Sequence, residues 1–176
     1  VQLPKFNFTD KSRSQGNKIR CDGNTVVIIE GIHALNPSVT GELHDHATFI
    51  YVSVRTRIAD EKGTLLHPSK IRLIRRLSRD KLFRGRDYHR TIELFPSVQR
   101  GESLYIMPYE HLADFDIDTF FPYELSVYRN VLAKLCENDL EECIMQVNRY
   151  SELPKFLSQI APIPVEAVPD DSLIKE

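Results

Sequence analysis

The amino-acid sequence predicts an α/β fold with a mainly parallel sheet and flanking helices. Two continuous apolar runs, at residues 25–29 and 48–54, are rich in β-branched side chains, which is typical of parallel strands covered on both faces. Residues 71–84 instead repeat their apolar side chains at helical spacing, which indicates an amphipathic helix. Strands that alternate with helices favour a parallel sheet, in which ligands bind beyond the carboxyl ends of the strands.

The predicted elements follow in order along the chain. The strand at 25–29 begins after Asp22-Gly23-Asn24, and a crossover helix or long loop separates it from the strand at 48–54. Further elements are helices at 71–84, about 91–100, 125–135 and 140–147, and a strand at 113–117. The last two helices have apolar stripes that suit a core or a subunit contact in a homo-oligomer. We expect one domain over residues 1–150 and a loosely ordered, proline-containing tail over 151–176, with a short helix near its end.

Composition excludes several classes of protein. The 176 residues are 41% hydrophobic and 27% charged, with a net charge of −2, so a general cationic surface for nucleic acid is not expected. The sequence contains no run of 18 apolar residues, so it predicts no membrane span. Three cysteines without a CxxC pair favour a reducing, cytoplasmic compartment over a disulfide framework or a zinc site.

The basic residues of the predicted helix at 71–84 lie on one side. Its arginines at 72, 75, 76 and 79 share a face, whereas Leu73, Ile74 and Leu77 occupy the opposite arc. Arg84 and Arg86 follow around Gly85, which tolerates unusual backbone angles. Because guanidinium groups bind phosphate oxygens bidentately, the pattern favours a polyphosphate site. A solvated basic helix face is the alternative interpretation.

An acidic side chain follows the first predicted strand. Glu30 comes directly after 25–29, which would place its carboxylate at the carboxyl end of the strand, where it could hold Mg²⁺ directly or through water. A structural salt bridge or a loop anchor is the alternative. His33, three residues later, is a candidate substrate contact, with a satisfied loop histidine as its alternative.

These segments resemble the uridine kinase and phosphoribulokinase group of P-loop kinases. The resemblance rests on residues 30–37, on 72–80 and on Arg84-Gly85-Arg86, and it extends from about residue 3 to 135. Residues 95–102 and 106–108 are similar to the bacterial uridine-kinase-like domain that follows a threonyl-tRNA-synthetase-like region. The resemblance implies part of a P-loop-kinase fold, with ATP as phosphate donor, Mg²⁺ as cofactor, and a nucleotide and a small metabolite as partners.

The resemblance also implies roles for individual positions. Glu30 lies near magnesium and the phosphate acceptor, and Ile32 lines the nucleoside pocket. Arg79 and Arg84 contact nucleotide phosphates, and Arg76 and Arg86 reach the nucleoside or the transferring phosphate. Phe6 and Phe8 match an aromatic pair that stacks near the base. The resemblance implies a hydroxyl-bearing acceptor, with a nucleoside as first candidate. Lys11 and Leu94 stand where those kinases have a histidine and a glutamine, so the resemblance does not imply selection of uridine, because discrimination depends on paired hydrogen-bonding groups.

The phosphate-binding loop of such kinases has no counterpart in these 176 residues. None of the seven glycines is followed by lysine, so GxxxxGK[ST] is absent. We therefore expect the chain to be the later part of a kinase domain and to be unable to turn over ATP alone. A non-catalytic module that binds phosphate, a nucleotide or RNA is the alternative function.

Overall fold

The computed structural model describes residues 1–7, 12–136, 150 and 152–175. The described chain divides into two compact units, Val1–Ala34 and Leu35–Glu176. The helix predicted at 140–147 lies outside the described residues. Among the residues that are described, no helix is both long and apolar enough to cross a membrane.

The first unit contains an antiparallel hairpin of β1 (Gln2–Asn7) and β2 (Ser12–Lys18). Lys5 lies opposite Ser14 and Phe6 opposite Arg13. The two strands approach so closely at Gly16 that a Cβ there would lie 2.8 Å from the Leu3 carbonyl oxygen. Glycine is therefore required where the backbones meet.

The prediction of a buried strand at 25–29 is wrong in this structure. Asp22 forms a turn in which its carboxylate accepts hydrogen bonds from the Asn24 N–H, at 3.0 Å, and the Thr25 hydroxyl, at 2.9 Å. The residues that follow are irregular, and Val26 and Ile28 are 87% and 89% exposed. An apolar run becomes a buried strand only when a neighbouring strand pairs with its backbone, and no strand of the described residues does so.

The second unit is a mixed α/β arrangement. Its strands are β3 (Ile50–Ser53), β4 (Ile58–Ala59), β5 (Leu65–Leu66) and β6 (Phe115–Asp118). Its α-helices are α1 (Pro37–Thr40), α2 (Pro68–Arg84), α3 (Tyr88–Tyr105), α4 (Glu124–Cys136) and α5 (Glu152–Ser158), and 3-10 turns cover Gly41–Asp45, Met107–Leu112 and Val165–Ala167. Strands β3 and β6 are parallel, whereas β4 and β5 form a short antiparallel pair. The predicted α/β class with a parallel sheet and helices is confirmed.

Helix α2 forms as its sequence predicts. The His67 side chain caps its start by accepting a hydrogen bond from the Ser69 N–H at 3.2 Å, and Pro68 occupies the first turn. Gly85 ends the helix in the left-handed conformation, with φ of 58°, which glycine adopts without steric cost. The predicted apolar face, Leu73, Ile74 and Leu77, is fully buried.

The core of the second unit includes the C-terminal segment. Side chains of α2 pack in one hydrophobic cluster with those of α3, α4 and α5. Leu153, Phe156 and Leu157 of α5 are buried in that cluster, so residues 152–158 are an ordered part of the unit. The expected loose tail is wrong for these residues because their apolar face at helical spacing finds a core to cover.

Candidate functional site

The arginines of α2 fall into two groups. Arg72 forms an ion pair with Glu102 of α3. Arg75 donates from Nε to Glu124 Oε2 at 2.6 Å and from Nη2 to Oε1 at 2.9 Å, and its Nη1 donates to Thr119 Oγ1 at 3.1 Å. Since Glu124 is fully buried, this contact ties α2 to α4. Arg75 is therefore committed to contacts within the fold, whereas Arg72, with one contact and a side chain 34% exposed, keeps further donors, and a phosphate-binding role for this face stays a prediction.

The second group converges on the carboxylate of Asp80. This side chain is 0% exposed, and Arg84 Nη1 donates to its Oδ1 at 3.2 Å while Arg86 Nη1 donates to its Oδ2 at 3.0 Å. The Thr91 hydroxyl of α3 donates to Oδ2 at 3.1 Å. Arg76 Nε lies 3.7 Å from the same oxygen. We call Arg76, Arg79, Arg84 and Arg86, together with Asp80, the arginine cluster.

The turn after α2 brings the last two arginines to one carboxylate. The backbone N–H groups of Gly85 and Arg86 both donate to the Asp80 carbonyl oxygen, the latter at 3.0 Å. This closed turn reverses the chain within two residues of Arg84, so that side chains on either side of Gly85 reach the same buried group. Gly85, whose sequence position suggested tolerance of unusual backbone angles, adopts the left-handed conformation at this turn.

Arg79 completes the cluster at the surface. Its side chain is exposed, and its pKa is lowered by desolvation and by the positive charge of Arg84, with a smaller contribution from Arg76. A guanidinium remains protonated under ordinary conditions. The guanidiniums of Arg76, Arg84 and Arg86 thus surround a single carboxylate, which leaves two positive charges in excess, and Arg79 adds its own charge to this group.

The cluster has hydrogen-bond donors to spare. Arg84 and Arg86 each have five N–H donors, and each gives one Nη1 contact to Asp80 while its side chain stays 48% or 34% exposed. Arg76 Nε is buried without a hydrogen-bond partner among the described residues. Excess positive charge, spare donors and one unsatisfied buried donor are the features of an anion-binding site.

The remaining predicted site residues lie in the first unit. Glu30 ends the irregular stretch after the Asp22 turn, and the Ala34 N–H donates to the Gly31 carbonyl at 3.0 Å, which forms a turn around Ile32 and His33. Glu30, Ile32 and His33 are all exposed, as is Phe6 on β1. The expectation that Glu30 ends a strand is wrong, because residues 25–29 are irregular. Phe8 and Lys11 lie outside the described residues.

The fit of a magnesium ion rests on Glu30. Within the described ranges, the Glu30 carboxylate has no hydrogen-bond or ion-pair partner, and no group of three or more metal-ligating side chains is present. Mg²⁺ usually keeps several waters and takes only one or two carboxylates together with substrate phosphates. Glu30 thus offers one exposed carboxylate, and its binding of Mg²⁺ stays a prediction.

The sequence analysis did not identify the side chains that hold the arginines in place. Asp80, Thr91 and Glu124 were not predicted to hold the arginines, although one signal for Asp80 is present in the sequence. Asp80 lies four residues after Arg76 and four before Arg84, which is the spacing of ion pairs on a helix. The contribution of Thr91 depends on the packing of α3 against α2 and has no local signal.

The chain is similar to known kinases. The model of the phosphoribulokinase / uridine kinase family matches residues 1–122. The curated protein "Uridine-cytidine kinase-like 1" of Mus musculus is 35% identical over 115 residues, which cover 65% of this chain and 18% of that relative. The chain thus spans less than a fifth of the relative's length. No solved structure matches it.

Proposed function

The chain belongs to the phosphoribulokinase / uridine kinase family, and from this premise we propose that it acts in the ATP-dependent phosphorylation of a small hydroxyl-bearing metabolite. The observation that carries the proposal is the convergence of Arg76, Arg84 and Arg86 on Asp80, with Arg79 beside them. An excess of fixed positive charge suits the polyphosphate of a nucleotide and the phosphoryl group in transfer.

The residues would act by positioning and charge neutralisation. Arg79 and Arg84, which are both exposed, would bind the phosphates of ATP through their free donors. Arg76 and Arg86 would contact the acceptor or the transferring phosphate. Magnesium, when bound, supplies further neutralisation between phosphate oxygens, and the Glu30 carboxylate would hold it directly or through water.

A nucleoside is the first candidate for the acceptor. The name of the similar mouse protein includes uridine-cytidine kinase, and the exposed side chains of Phe6, Ile32 and His33 could contact a base and a sugar. Phe8 is proposed as the second stacking ring. Lys11 and Leu94 differ from the base-reading residues implied by the resemblance, so selection among nucleosides would rest on other groups.

A second function is supported by a sequence feature. The chain contains the arginine cluster but no GxxxxGK[ST], a combination that also suits a non-catalytic module for phosphate, a nucleotide or RNA. Binding of RNA would weaken steeply with salt, because each released counterion contributes to the affinity. A nucleotide site would instead discriminate between mono- and triphosphates.

The test is ATP binding by the 176-residue chain, measured by calorimetry in magnesium buffer. Arg79→Met should weaken binding at least about tenfold, since a charge-assisted hydrogen bond to phosphate is lost. Arg90→Met is the matched control, because Arg90 is also exposed but pairs with Glu93 at 3.1 Å outside the cluster. Equal losses in both variants would contradict a phosphate site at the arginine cluster.

The same calorimetry separates the two functions. Binding of a nucleoside in the presence of ATP supports the kinase. Salt-sensitive binding of a short RNA, with no response to nucleosides, supports the binding module.

A further inference from the structure

Asp80 and Glu124 are both buried carboxylates that hold an arginine of α2, but they differ in how many donors of that arginine are used. Glu124 receives two hydrogen bonds from Arg75, and Thr119 receives two more, through its hydroxyl and its carbonyl. These contacts use most of the donors of Arg75. Asp80 instead receives one contact each from Arg84 and Arg86, so both guanidiniums are held while their other donors stay available.

The position of the Asp80 carboxylate is itself fixed from three directions. Its side chain is fully buried at the end of α2, its Oδ2 accepts from Thr91 of α3, and its own carbonyl closes the turn through the N–H groups of Gly85 and Arg86. A carboxylate restrained in this way has little freedom to follow a moving arginine. It therefore acts as a fixed reference point for Arg84 and Arg86.

The arginines would repel one another without this group. Three guanidiniums, those of Arg76, Arg84 and Arg86, lie around one carboxylate, and like charges at short range favour separation into solvent. Long side chains also lose rotamer entropy when they are ordered for a ligand. An anion site whose arginines are already ordered binds more tightly, because less of that entropy is lost on binding.

We propose that Asp80 is the positioning residue of the arginine cluster: it orders Arg84 and Arg86 before an anion binds and leaves their remaining donors facing the ligand. This inference rests on the proposed function of the cluster as a phosphate site. It has a consequence that a simple counter-charge would not have. Removing the negative charge of Asp80 makes the cluster more positive, so Coulomb attraction alone would strengthen anion binding, whereas loss of positioning weakens it.

The experiment compares Asp80→Asn with Glu124→Gln in the 176-residue chain. Both substitutions neutralise a buried carboxylate that holds an arginine of α2 and keep its shape. Inorganic tripolyphosphate is the probe, with calorimetry for affinity and urea unfolding for stability. We expect Asp80→Asn to weaken binding about tenfold or more and Glu124→Gln to change it less than about twofold while lowering stability. Unchanged or tighter binding by Asp80→Asn would overturn the inference.

A second measurement separates this inference from the proposed function. The side-chain Nε–Hε signals of Arg84 and Arg86 in NMR spectra, without ligand, should be dispersed and protected in the parent chain and should lose protection in Asp80→Asn. A parent chain with ordered arginines that binds no polyphosphate would contradict the proposed function alone. Arginine signals that are equally ordered in both proteins would contradict the positioning role alone.

Thr91→Val provides the test if Asp80→Asn fails to fold. This substitution keeps the buried shape of Thr91 and removes only the hydroxyl that restrains Asp80 Oδ2. We expect a smaller loss of tripolyphosphate affinity, about threefold to tenfold, with weaker protection of the same arginine signals. A folded Thr91→Val chain with unchanged affinity and unchanged signals would count against the proposal.

Discussion

Two arginines of α2 are expected to have different roles. Arg75 contributes to stability, whereas Arg84, at the C-terminal end of the helix, contributes to ligand binding. Arg75 donates to the fully buried Glu124 from two nitrogens, whereas Arg84 makes one contact of 3.2 Å to Asp80 and is 48% exposed. Replacing each with methionine removes one guanidinium and keeps an unbranched side chain. Arg75→Met should reduce the free energy of unfolding, and Arg84→Met should reduce the affinity for ATP.

The magnitudes follow from these contacts. Removing one partner of a buried ion pair costs about 3–5 kcal/mol, and since Arg75 is 28% exposed we expect the lower end, about 3 kcal/mol. Asp80 keeps Arg86 and Thr91 when Arg84 is replaced, so that variant should lose no more than about 1 kcal/mol of stability. The same variant loses a charge-assisted hydrogen bond to phosphate, worth about 1.5–3 kcal/mol, or roughly 10–150-fold in Kd.

The assay pairs urea unfolding, followed by circular dichroism, with calorimetric titration of ATP and magnesium under conditions in which each variant is folded. Arg90→Met is the control for loss of a surface charge, because its partner Glu93 lies outside the cluster. The reasoning is refuted if Arg84→Met retains ATP affinity within about twofold of the parent, or if Arg75→Met is as stable as Arg84→Met.

Three further predictions concern the core, the pH response and turnover. Leu153→Ala should lower the free energy of unfolding by about 3 kcal/mol, because Leu153 is fully buried, whereas Leu173→Ala, at an exposed position, should stay within about 0.5 kcal/mol; urea unfolding measures both. Burial raises the pKa of Asp118, but hydrogen bonds from the Thr56 hydroxyl and from backbone N–H groups outweigh it and hold the pKa below 3.8. Its stabilising contribution is therefore complete above pH 3.8 and is lost as the pH falls through the lower folded value, so acid unfolding of Asp118→Asn should depend less on pH there. The 176-residue chain, which has no GxxxxGK[ST], should show no phosphate transfer from ATP to any of a panel of nucleosides in a radiolabel assay, and steady transfer would contradict this.

Local patterns predicted the helices of the second unit well. The spacing of Leu73, Ile74 and Leu77 predicts the buried face of α2, because helical periodicity depends on neighbouring residues alone. The run at 48–54 is confirmed as a parallel strand, β3, which pairs with β6, but the expected cover on both faces is wrong, because Ile50 and Val52 are 48% and 58% exposed. The run at 25–29 is also apolar and rich in β-branched side chains, yet it is irregular and exposed. A strand is completed by a partner elsewhere in the chain, and composition does not supply that partner.

The sequence by itself determined the α/β class, the arginine-bearing helix and the family to which the chain belongs, since these depend on residue order and spacing. Only the tertiary structure decided which acid each arginine contacts. Arg72 and Arg75 are bound by acids from α3 and α4, while Arg76, Arg84 and Arg86 converge on Asp80. Helical periodicity places Arg72, Arg75 and Arg76 on one face of α2, and Arg84 and Arg86 follow at its end. Each guanidinium then pairs with a nearby carboxylate, and the packing of the helices determines where that carboxylate lies.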